Sequence, residues 1–297
     1  MDVIRALLES RPPAVTTLAT WWEATAVPRA AFATSLDRAL VGGALADRLG
    51  FAFASAYGEA LRALVPGTEG ITALCITEAG GNHPKAIETK LVPAGDGYMI
   101  SGHKKWATVG SLASSLLVCA TTGDHRLRMV RVPANAPGVT ITGSSAPFVP
   151  EIPHAEITLD HVAVRASDVL PGDGYDEYVK PFRTIEDAHV HAALLGYLVS
   201  VARRKGFAPD MIERLLALAV ATRAAAAADV KAPTTHVALA GTFALVAREV
   251  AALEALWAAL PDDEWERWQR DRMLLQVASK ARDARRDKAW SLLRERG

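Results

Sequence analysis

The chain has 297 residues; half of them are hydrophobic, 22% are charged, and its 33 basic and 33 acidic side chains cancel. Such a length allows one large domain or two to three smaller ones. A balanced charge creates no overall field that attracts nucleic acid or an anionic membrane, so any anionic ligand must be bound by a local site. The composition predicts a soluble globular protein with no nucleic-acid or membrane partner.

The cysteines and the N-terminus bear on localisation. Cys75 and Cys119 lie within apolar, strand-like runs, which predicts buried thiols in a reducing compartment, with a disulfide between them left open. The first residues lack the basic segment and long apolar core of a secretory signal. No run approaches the about 18–20 uninterrupted apolar residues that a spanning helix needs. We therefore expect a cytoplasmic protein.

Residues 1–68 are predicted to form an N-terminal helical domain. Apolar residues recur at helical spacing between Val3 and Trp22. Ser35 is predicted to cap a helix that runs through Leu49, with the pair at 42–43, two glycines, weakening or ending it.

Residues 69–174 are predicted to form a middle β-domain. Thr, Val and Ile alternate with polar residues, and turn signals recur about every ten positions. The runs LLVCATT, LRMVRVP, GVTITG and HAEITLDHVAV are typical strands. The pattern predicts an antiparallel sheet or barrel.

Residues 175–297 are rich in Ala, Leu and Arg and predict a C-terminal up-down helical bundle. Helical segments are expected at 178–204, 209–228, 234–260 and 262–295, separated by short turns that contain proline. The predicted fold class is α+β and multidomain, with N-terminal helices, a middle antiparallel sheet or barrel, and this C-terminal bundle.

Three motifs follow one another between Ala73 and Gly110. They are C-I-T-E at Cys75–Glu78, D-G-Y-x-I-x-G-x-K at Asp96–Lys104, and W-x-T at Trp106–Thr108. Together they resemble the middle β-domain of the acyl-CoA dehydrogenase family, whose members share the order helices, sheet, helices. The resemblance implies a flavoprotein that uses FAD to oxidise an acyl thioester.

The resemblance also implies flavin-binding residues. Leu74, Ile76 and Thr77 stand where backbone and hydroxyl groups meet the pyrimidine side of the flavin. Trp106 stands where a tryptophan flanks the ring, and Thr108 stands where a hydroxyl approaches the reactive N5. A spacing of two places the last two side chains on one face of a strand. Read singly, the threonines are ordinary strand residues and the tryptophan is a core anchor.

Glu186 is the candidate catalytic base. The segment Glu186–Arg204 resembles the first long helix of the family's C-terminal domain, and Glu186 falls where some branches carry the base that removes the α-proton of the thioester. A carboxylate facing an apolar pocket has a raised pKa, which suits proton abstraction. The alternative is a solvated glutamate that offsets the helix dipole. Asp187 takes the place of an arginine common in the family.

No metal site is expected. Glu186 and His189 form an E-x-x-H pair on one helix face, of the kind that di-iron bundles use, but such sites need a second pair and two further carboxylates. The predicted helical segments contain no second pair. The basic turn at 203–205 has two interpretations: it attracts a phosphate, or it ends a helix by offsetting its dipole.

Two functions stay open. The first is an acyl-CoA dehydrogenase-like oxidoreductase with FAD, an acyl-CoA or similar substrate, a homodimeric or homotetrameric assembly and an electron-transfer partner. The second is a family member without FAD that serves as a scaffold or partner subunit. It is suggested by Gly81-Asn82-His83, which replaces the family's Gly-Ser-Asp, and by the lack of a Q-x-x-G-G-x-G segment before Gly297. A monooxygenase-like flavin chemistry without a glutamate base is a third possibility.

Overall fold

A computed structural model describes residues 2–123, 126–144 and 148–295. The chain forms two compact units, one made of Met1–Ala63 with Thr184–Gly297 and the other of Leu64–Arg183. Helices, then strands, then helices follow along the chain, so the predicted fold class is confirmed.

The first unit is helical. Its N-terminal part contains α1 (Val3–Glu9), α2 (Leu18–Ala24), α3 (Ala26–Ala30), α4 (Ser35–Ala44) and α5 (Leu49–Leu64). Its C-terminal part contains α6 (Lys180–Arg204, which begins just before the unit), α7 (Pro209–Ala226), α8 (Pro233–Trp257), α9 (Asp263–Asp271) and α10 (Ser279–Arg294). The predicted segment 262–295 is therefore two helices, which a 3₁₀ turn at Arg272–Gln276 separates.

Helix α4 differs from its prediction at both ends. Thr34 is the N-cap, because its hydroxyl accepts a hydrogen bond from the Asp37 N–H at 3.1 Å, and Ser35 is the first helical residue. The helix ends at Ala44, and Leu49 begins the next one. The side chain of Ser35 is therefore not needed for capping.

Glycines allow α4 and α6 to cross in backbone contact. A Cβ added at Gly43 would lie 1.9 Å from the Ala193 carbonyl oxygen, and one added at Gly196 would lie 2.0 Å from the Leu40 carbonyl oxygen. Either contact is far below van der Waals distance. Gly43 is therefore a residue of α4 that allows α4 and α6 to pack closely. This packing brings the start of α4 beside α6.

The second unit is built on seven described strands. They are β1 (Thr72–Cys75), β2 (Lys90–Ala94), β3 (Gly97–Thr108), β4 (Ser115–Thr121), β5 (Leu127–Pro133), β6 (Val139–Ser144) and β7 (His154–Val164). The order in the sheet is β1-β4-β2-β3-β7-β6, and β5 pairs with β4. The sheet is mixed where an antiparallel one was expected, since β1 and β2 both run parallel to β4. The chain completes the β2–β3 hairpin before β4, so β1 and β4 meet in the same direction.

The core of the second unit lies between curled parts of this sheet and includes Leu91, Ile100 and Ile157, all fully buried. Cys75 and Cys119 are free, buried thiols, as predicted. Burial raises the pKa of Cys75 to about 12 and that of Cys119 to about 11, although the charge of Lys104 lowers both. Both thiols stay protonated and unreactive at neutral pH.

Candidate functional site

The ends of β1 and β3 lie side by side in the second unit. The Lys105 N–H donates to the carbonyl of Thr77, two residues beyond β1, at 2.8 Å. The two segments that carry most of the predicted flavin residues are thereby paired, although 28 positions separate Thr77 from Lys105.

A β-bulge shapes the end of β3. The pairing of β3 with β7 shifts between Lys104 and Ala107, and Trp106 adopts a left-handed backbone conformation with φ of 59°. Beyond the bulge, burial alternates from Trp106, which is 61% exposed, through the buried Ala107 to the half-buried Thr108. The bulge therefore turns a large aromatic surface outward next to a polar side chain.

The predicted flavin-binding residues differ in which groups they offer to a ligand. The side chains of Thr77, Trp106 and Thr108 hydrogen-bond to no other residue in the described part of the chain. Leu74 is buried and pairs with Leu117 in the sheet. Three polar side chains at paired strand ends can thus bind a ligand without breaking an internal hydrogen bond.

Lys104 holds this arrangement from inside. Its side chain is fully buried, and its Nζ donates to Glu78 Oε1 at 2.5 Å, to the Cys119 carbonyl at 2.6 Å and to the Ile76 carbonyl at 3.3 Å. All three donors of the ammonium are therefore used. The sequence shows Lys104 only as part of a motif, and no local pattern identifies Glu78 as its partner.

Glu78 completes the anchor. Its carboxylate also accepts from the Glu88 N–H at 2.8 Å and from the N–H and hydroxyl of Thr89 at 3.1 and 2.7 Å. Burial raises the pKa of Glu78, but Lys104 and these donors lower it more, and the net pKa lies below its ordinary value. The carboxylate stays ionised and fastens the end of β1 to the start of β2.

The turn after Glu78 is tight and exposed. Glu78 and Gly81 exchange two backbone hydrogen bonds of 3.0 Å, and Gly81 takes a φ of 105°, which favours glycine. Asn82 and His83 follow on the surface, and His83 Nδ1 accepts from the Lys85 N–H at 3.3 Å, capping a short 3₁₀ turn.

Glu186 lies on α6, in the first turns of the helix. It is half-buried, and its carboxyl makes no hydrogen bond or ion pair with the described residues. Burial and the neighbouring charge of Asp187 raise the pKa of Glu186 to about 8, although the cation of Arg285 lowers it. A carboxyl with these properties takes up and releases a proton near neutral pH.

Asp187 is a structural residue. Arg282 Nη1 lies 3.2 Å from one carboxylate oxygen, and Arg285 pairs with the other. This partly buried cluster joins α6 to α10, and it places Arg285 where its charge acts on Glu186. Asp187 thus lies where an arginine is common in the resembled family, and it pairs with two arginines of another helix.

The other predicted features of the first unit are engaged internally. His189 and His191 each bond the carbonyl four residues earlier, at 2.7 Å, and no group of three metal-binding side chains occurs among the described residues. Arg203 donates to the Leu7 and Ser10 carbonyls. In the same turn Arg204 pairs with Glu264, and Lys205 pairs with Asp262 and Glu264. The three cations of this basic turn at the end of α6 therefore form their contacts within the first unit.

Residues 73–162 match the family model described as acyl-CoA dehydrogenase, middle domain. A probable acyl-CoA dehydrogenase of Bacillus subtilis, YngJ, is 31% identical over 134 residues, which is 42% of this chain and only a third of the relative's length.

Solved structures share the fold. PigA with FAD and proline has a TM-score of 0.72 at 15% identity and covers 99% of this chain and 96% of its own. The butyryl-CoA dehydrogenase of Megasphaera elsdenii has a TM-score of 0.68 at 17% identity, covering 86% and 82%. The prolyl acyl carrier protein oxidase AnaB has a TM-score of 0.67 at 17% identity, covering 98% and 96%.

The buried Lys104–Glu78 pair yields a prediction about stability. Lys104→Met removes the cation and leaves a buried carboxylate, which we expect to lower the free energy of unfolding by about 3–5 kcal/mol. Denaturant titration followed by circular dichroism measures this loss. Lys105→Met is the matched control, because this half-exposed neighbour lies 3.8 Å from Glu156 and should cost less than about 1 kcal/mol. Combining Lys104→Met with Glu78→Leu should cost less than the sum of the single changes; additive losses would contradict the coupling.

Proposed function

Because the chain belongs to the acyl-CoA dehydrogenase family, we propose that it is an FAD-dependent oxidoreductase that oxidises the Cα–Cβ bond of an acyl thioester. The observation that carries the proposal is the set of unpartnered side chains at paired strand ends, Thr77, Trp106 and Thr108, among the described residues of the second unit.

These residues suit a flavin ring. An isoalloxazine needs an apolar surface against one face and hydrogen-bond partners along its polar edge. Trp106 provides the aromatic surface, while the hydroxyls of Thr77 and Thr108 provide the partners, and the backbone of Leu74 and Ile76 completes the proposed set. When bound, FAD supplies the acceptor for the hydride that leaves the β-carbon.

Glu186 is proposed as the base. A pKa of about 8 leaves a fraction of carboxylate at neutral pH, and the missing internal hydrogen bonds leave its oxygens able to accept the α-proton of the substrate. After the transfer, burial favours the neutral acid, so the proton stays on the residue until it is released to solvent.

The substrate and partners follow from the same proposal. The solved structures similar to this chain include proteins named for coenzyme A and acyl carrier protein substrates, so a carrier-bound thioester is the substrate class we propose. We also propose an electron-transfer partner, which would accept the electrons removed from the substrate. We also propose a cytoplasmic location, which two buried free thiols favour.

A scaffold without FAD is the second candidate function. Its support is the basic turn at 203–205, whose three cations are all bonded within the first unit. A pyrophosphate would therefore have to compete with these internal contacts for each of the three cations.

Flavin binding separates the two candidates. We expect the purified protein, or the protein with added FAD, to show the absorption bands of bound flavin. Thr77→Val and Thr108→Val should each weaken FAD binding about fivefold, because each removes one hydrogen bond of about 1 kcal/mol. Thr140→Val, an exposed threonine on β6, serves as the control and should bind as the wild type does. A colourless protein that ignores FAD would exclude the oxidoreductase and support the scaffold.

Glu186→Gln tests the base. Turnover of the flavin-loaded protein should fall by about 10²–10⁴-fold with its colour retained, and wild-type turnover should rise with pH through about 8. Glu213→Gln, at an exposed position on α7, is the matched control. Unchanged turnover in Glu186→Gln would show that the base lies elsewhere.

The same substitution has a stability signature. A carboxyl whose pKa is raised in the folded state binds more protons folded than unfolded, so its contribution to stability falls as pH rises from the unfolded pKa toward about 8. Glutamine mimics the protonated acid. Glu186→Gln should therefore stabilise the protein at pH 8 and change little near pH 4, as measured by thermal unfolding.

We also propose a homodimer or homotetramer. Helix α8 has a mean hydropathy of 1.4 over its most apolar 18 residues, of which only 22% are buried. By length and composition alone it could cross a membrane, a test that core helices of soluble proteins also pass. Leu245 and Leu256 on this helix are each 47% exposed, whereas Trp257 is buried within its own unit.

Light scattering at micromolar concentration measures this assembly. We expect the mass of a dimer or tetramer, and Leu245→Glu should shift it toward the monomer by placing a charge in an apolar contact. Val27→Glu, on α3 at a residue 81% exposed, is the control and should leave the mass unchanged. A monomeric wild type would refute the proposal.

A further inference from the structure

A cavity of about 690 Å³ lies within the first unit, among helices α4, α6, α7 and α8. Apolar side chains form most of its wall, including those of Leu36, Ile185, Val220 and Leu239. A cavity of this volume and lining suits a small organic molecule. Its wall also contains a hydroxyl and an imidazole that are hydrogen-bonded to each other.

Ser35 and His189 form this pair. The Oγ of Ser35 lies 2.9 Å from Nε2 of His189, and Nδ1 of His189 lies 2.7 Å from the Ile185 carbonyl oxygen. A carbonyl oxygen only accepts, so Nδ1 of the neutral ring carries the proton and Nε2 accepts from the Ser35 hydroxyl. A hydroxyl bonded to an imidazole that a third group orients is the arrangement of a serine nucleophile with its general base.

His189 is held in the uncharged form that a base requires. Its side chain is buried, and burial lowers its pKa. The hydrogen bond to the Ile185 carbonyl and the charge of Glu59 raise this pKa, while the charge of Arg38 lowers it, and the net pKa lies below its ordinary value. The ring is therefore neutral at pH 7 and able to take the proton of the hydroxyl.

Ser35 is available for reaction. Thr34 provides the oxygen that caps α4, so the Ser35 hydroxyl does not cap the helix. Ser35 is half-buried and lines the cavity, and its hydroxyl bonds to no described residue other than His189. Ser35 therefore combines contact with the cavity and a hydrogen bond to a base.

The first turn of α4 also contains free hydrogen-bond donors. The first N–H groups of a helix have no partner within it. The Asp37 N–H donates to the Thr34 hydroxyl, whereas the N–H groups of Ser35 and Leu36 form no hydrogen bond with the described residues. Free N–H groups at a helix N-terminus stabilise a negative charge. They are thus available for the oxyanion that forms when a serine attacks a carbonyl group.

The lining favours an uncharged substrate. Arg223 is the one residue of this lining with a full charge, and its guanidinium pairs with the carboxylate of Asp37 at 2.6 Å. His189 is neutral. A charged group in the cavity would lose its hydration without gaining a free partner of opposite charge.

We propose that Ser35 and His189 form a second catalytic site, which hydrolyses an uncharged carboxylic ester with an apolar acyl group. The Ser35 oxygen bonds to the carbonyl carbon while His189 takes its proton, and the N–H groups of Ser35 and Leu36 bind the oxyanion. The bond to the alcohol oxygen then breaks, and this oxygen takes the proton from His189. Water attacks the acyl-serine with His189 again as base, the carboxylic acid leaves, and the proton returns to Ser35. No step uses a flavin, so the site goes beyond the proposed oxidoreductase.

A fluorophosphonate with an alkyl chain tests the nucleophile on the full chain. The serine oxygen bonds to phosphorus and fluoride leaves, so peptide mass spectrometry should find the label on Ser35 of the folded protein and not of the heat-denatured one. Ser35→Ala should remove this label. His189→Gln should slow labelling by about 10²–10⁴-fold, because it removes the base. Ser291→Ala, at an exposed serine on α10, is the matched control and should be labelled as the wild type is.

Ester hydrolysis tests the substrate class. The protein should hydrolyse p-nitrophenyl butanoate, and both Ser35→Ala and His189→Gln should lose this activity while unfolding at the temperature of the wild type. The p-nitrophenyl monoester of succinate, which carries a carboxylate, should show a kcat/KM about tenfold lower or less. If a variant fails to fold, the wild type still decides, since fluorophosphonate should abolish hydrolysis in step with labelling of Ser35.

Three results would each overturn the proposal: no label on Ser35, equal labelling rates in the wild type and a folded His189→Gln, or no release of nitrophenol by the wild type. Equal hydrolysis of the two esters would overturn the choice of an uncharged substrate. Protein without FAD should give the same labelling and hydrolysis. A failure of the flavin test therefore leaves this site unaffected, and a failure here leaves the oxidoreductase unaffected.

Discussion

The candidate flavin site depends on one buried ammonium group. Lys104 lies in β3 and bonds Glu78 and Ile76 beyond the end of β1 and Cys119 in β4, while Glu78 in turn holds the start of β2. A buried charge is tolerated only where its partners satisfy it. Since Lys104 is satisfied only when the segments at residues 76–78 and 119 converge on β3, this one cation determines where Thr77 and Trp106 lie relative to each other.

This dependence explains why the site consists of groups with no internal partner. Lys104 and Glu78 form their hydrogen bonds with each other and with nearby backbone groups. Thr77 and Trp106, which lie close to them in the chain, have side chains that form no hydrogen bond with the described residues. Unpartnered hydroxyls at paired strand ends are available to a ligand, because binding breaks no internal hydrogen bond.

The sequence predicted what local patterns encode. Alternation and turn residues identified β4 to β7, and helical periodicity with proline punctuation identified α6, α7 and α8. It could not reveal the Lys104–Glu78 pair, whose members are 26 residues apart with no periodic relation, or the bulge that turns Trp106 outward. The parallel pairing of β1 with β4 escaped for the same reason: strand direction is set by the path between strands and not by their residues.

In the first unit the same limit applies to electrostatics. The sequence shows Glu186 beside Asp187, and the charge of Asp187 raises the pKa of Glu186. Arg282 and Arg285, 95 and 98 positions later, both pair with Asp187, whereas the half-buried Glu186 forms no ion pair with the described residues. Burial then becomes the largest influence on its pKa. An arginine directly after Glu186 would favour its ionised form, whereas Asp187, by drawing the arginines to itself, lets the carboxyl hold a proton near neutral pH. The departure from the family pattern at position 187 is therefore compatible with a base at position 186, because both features follow from how the cations of α10 are distributed.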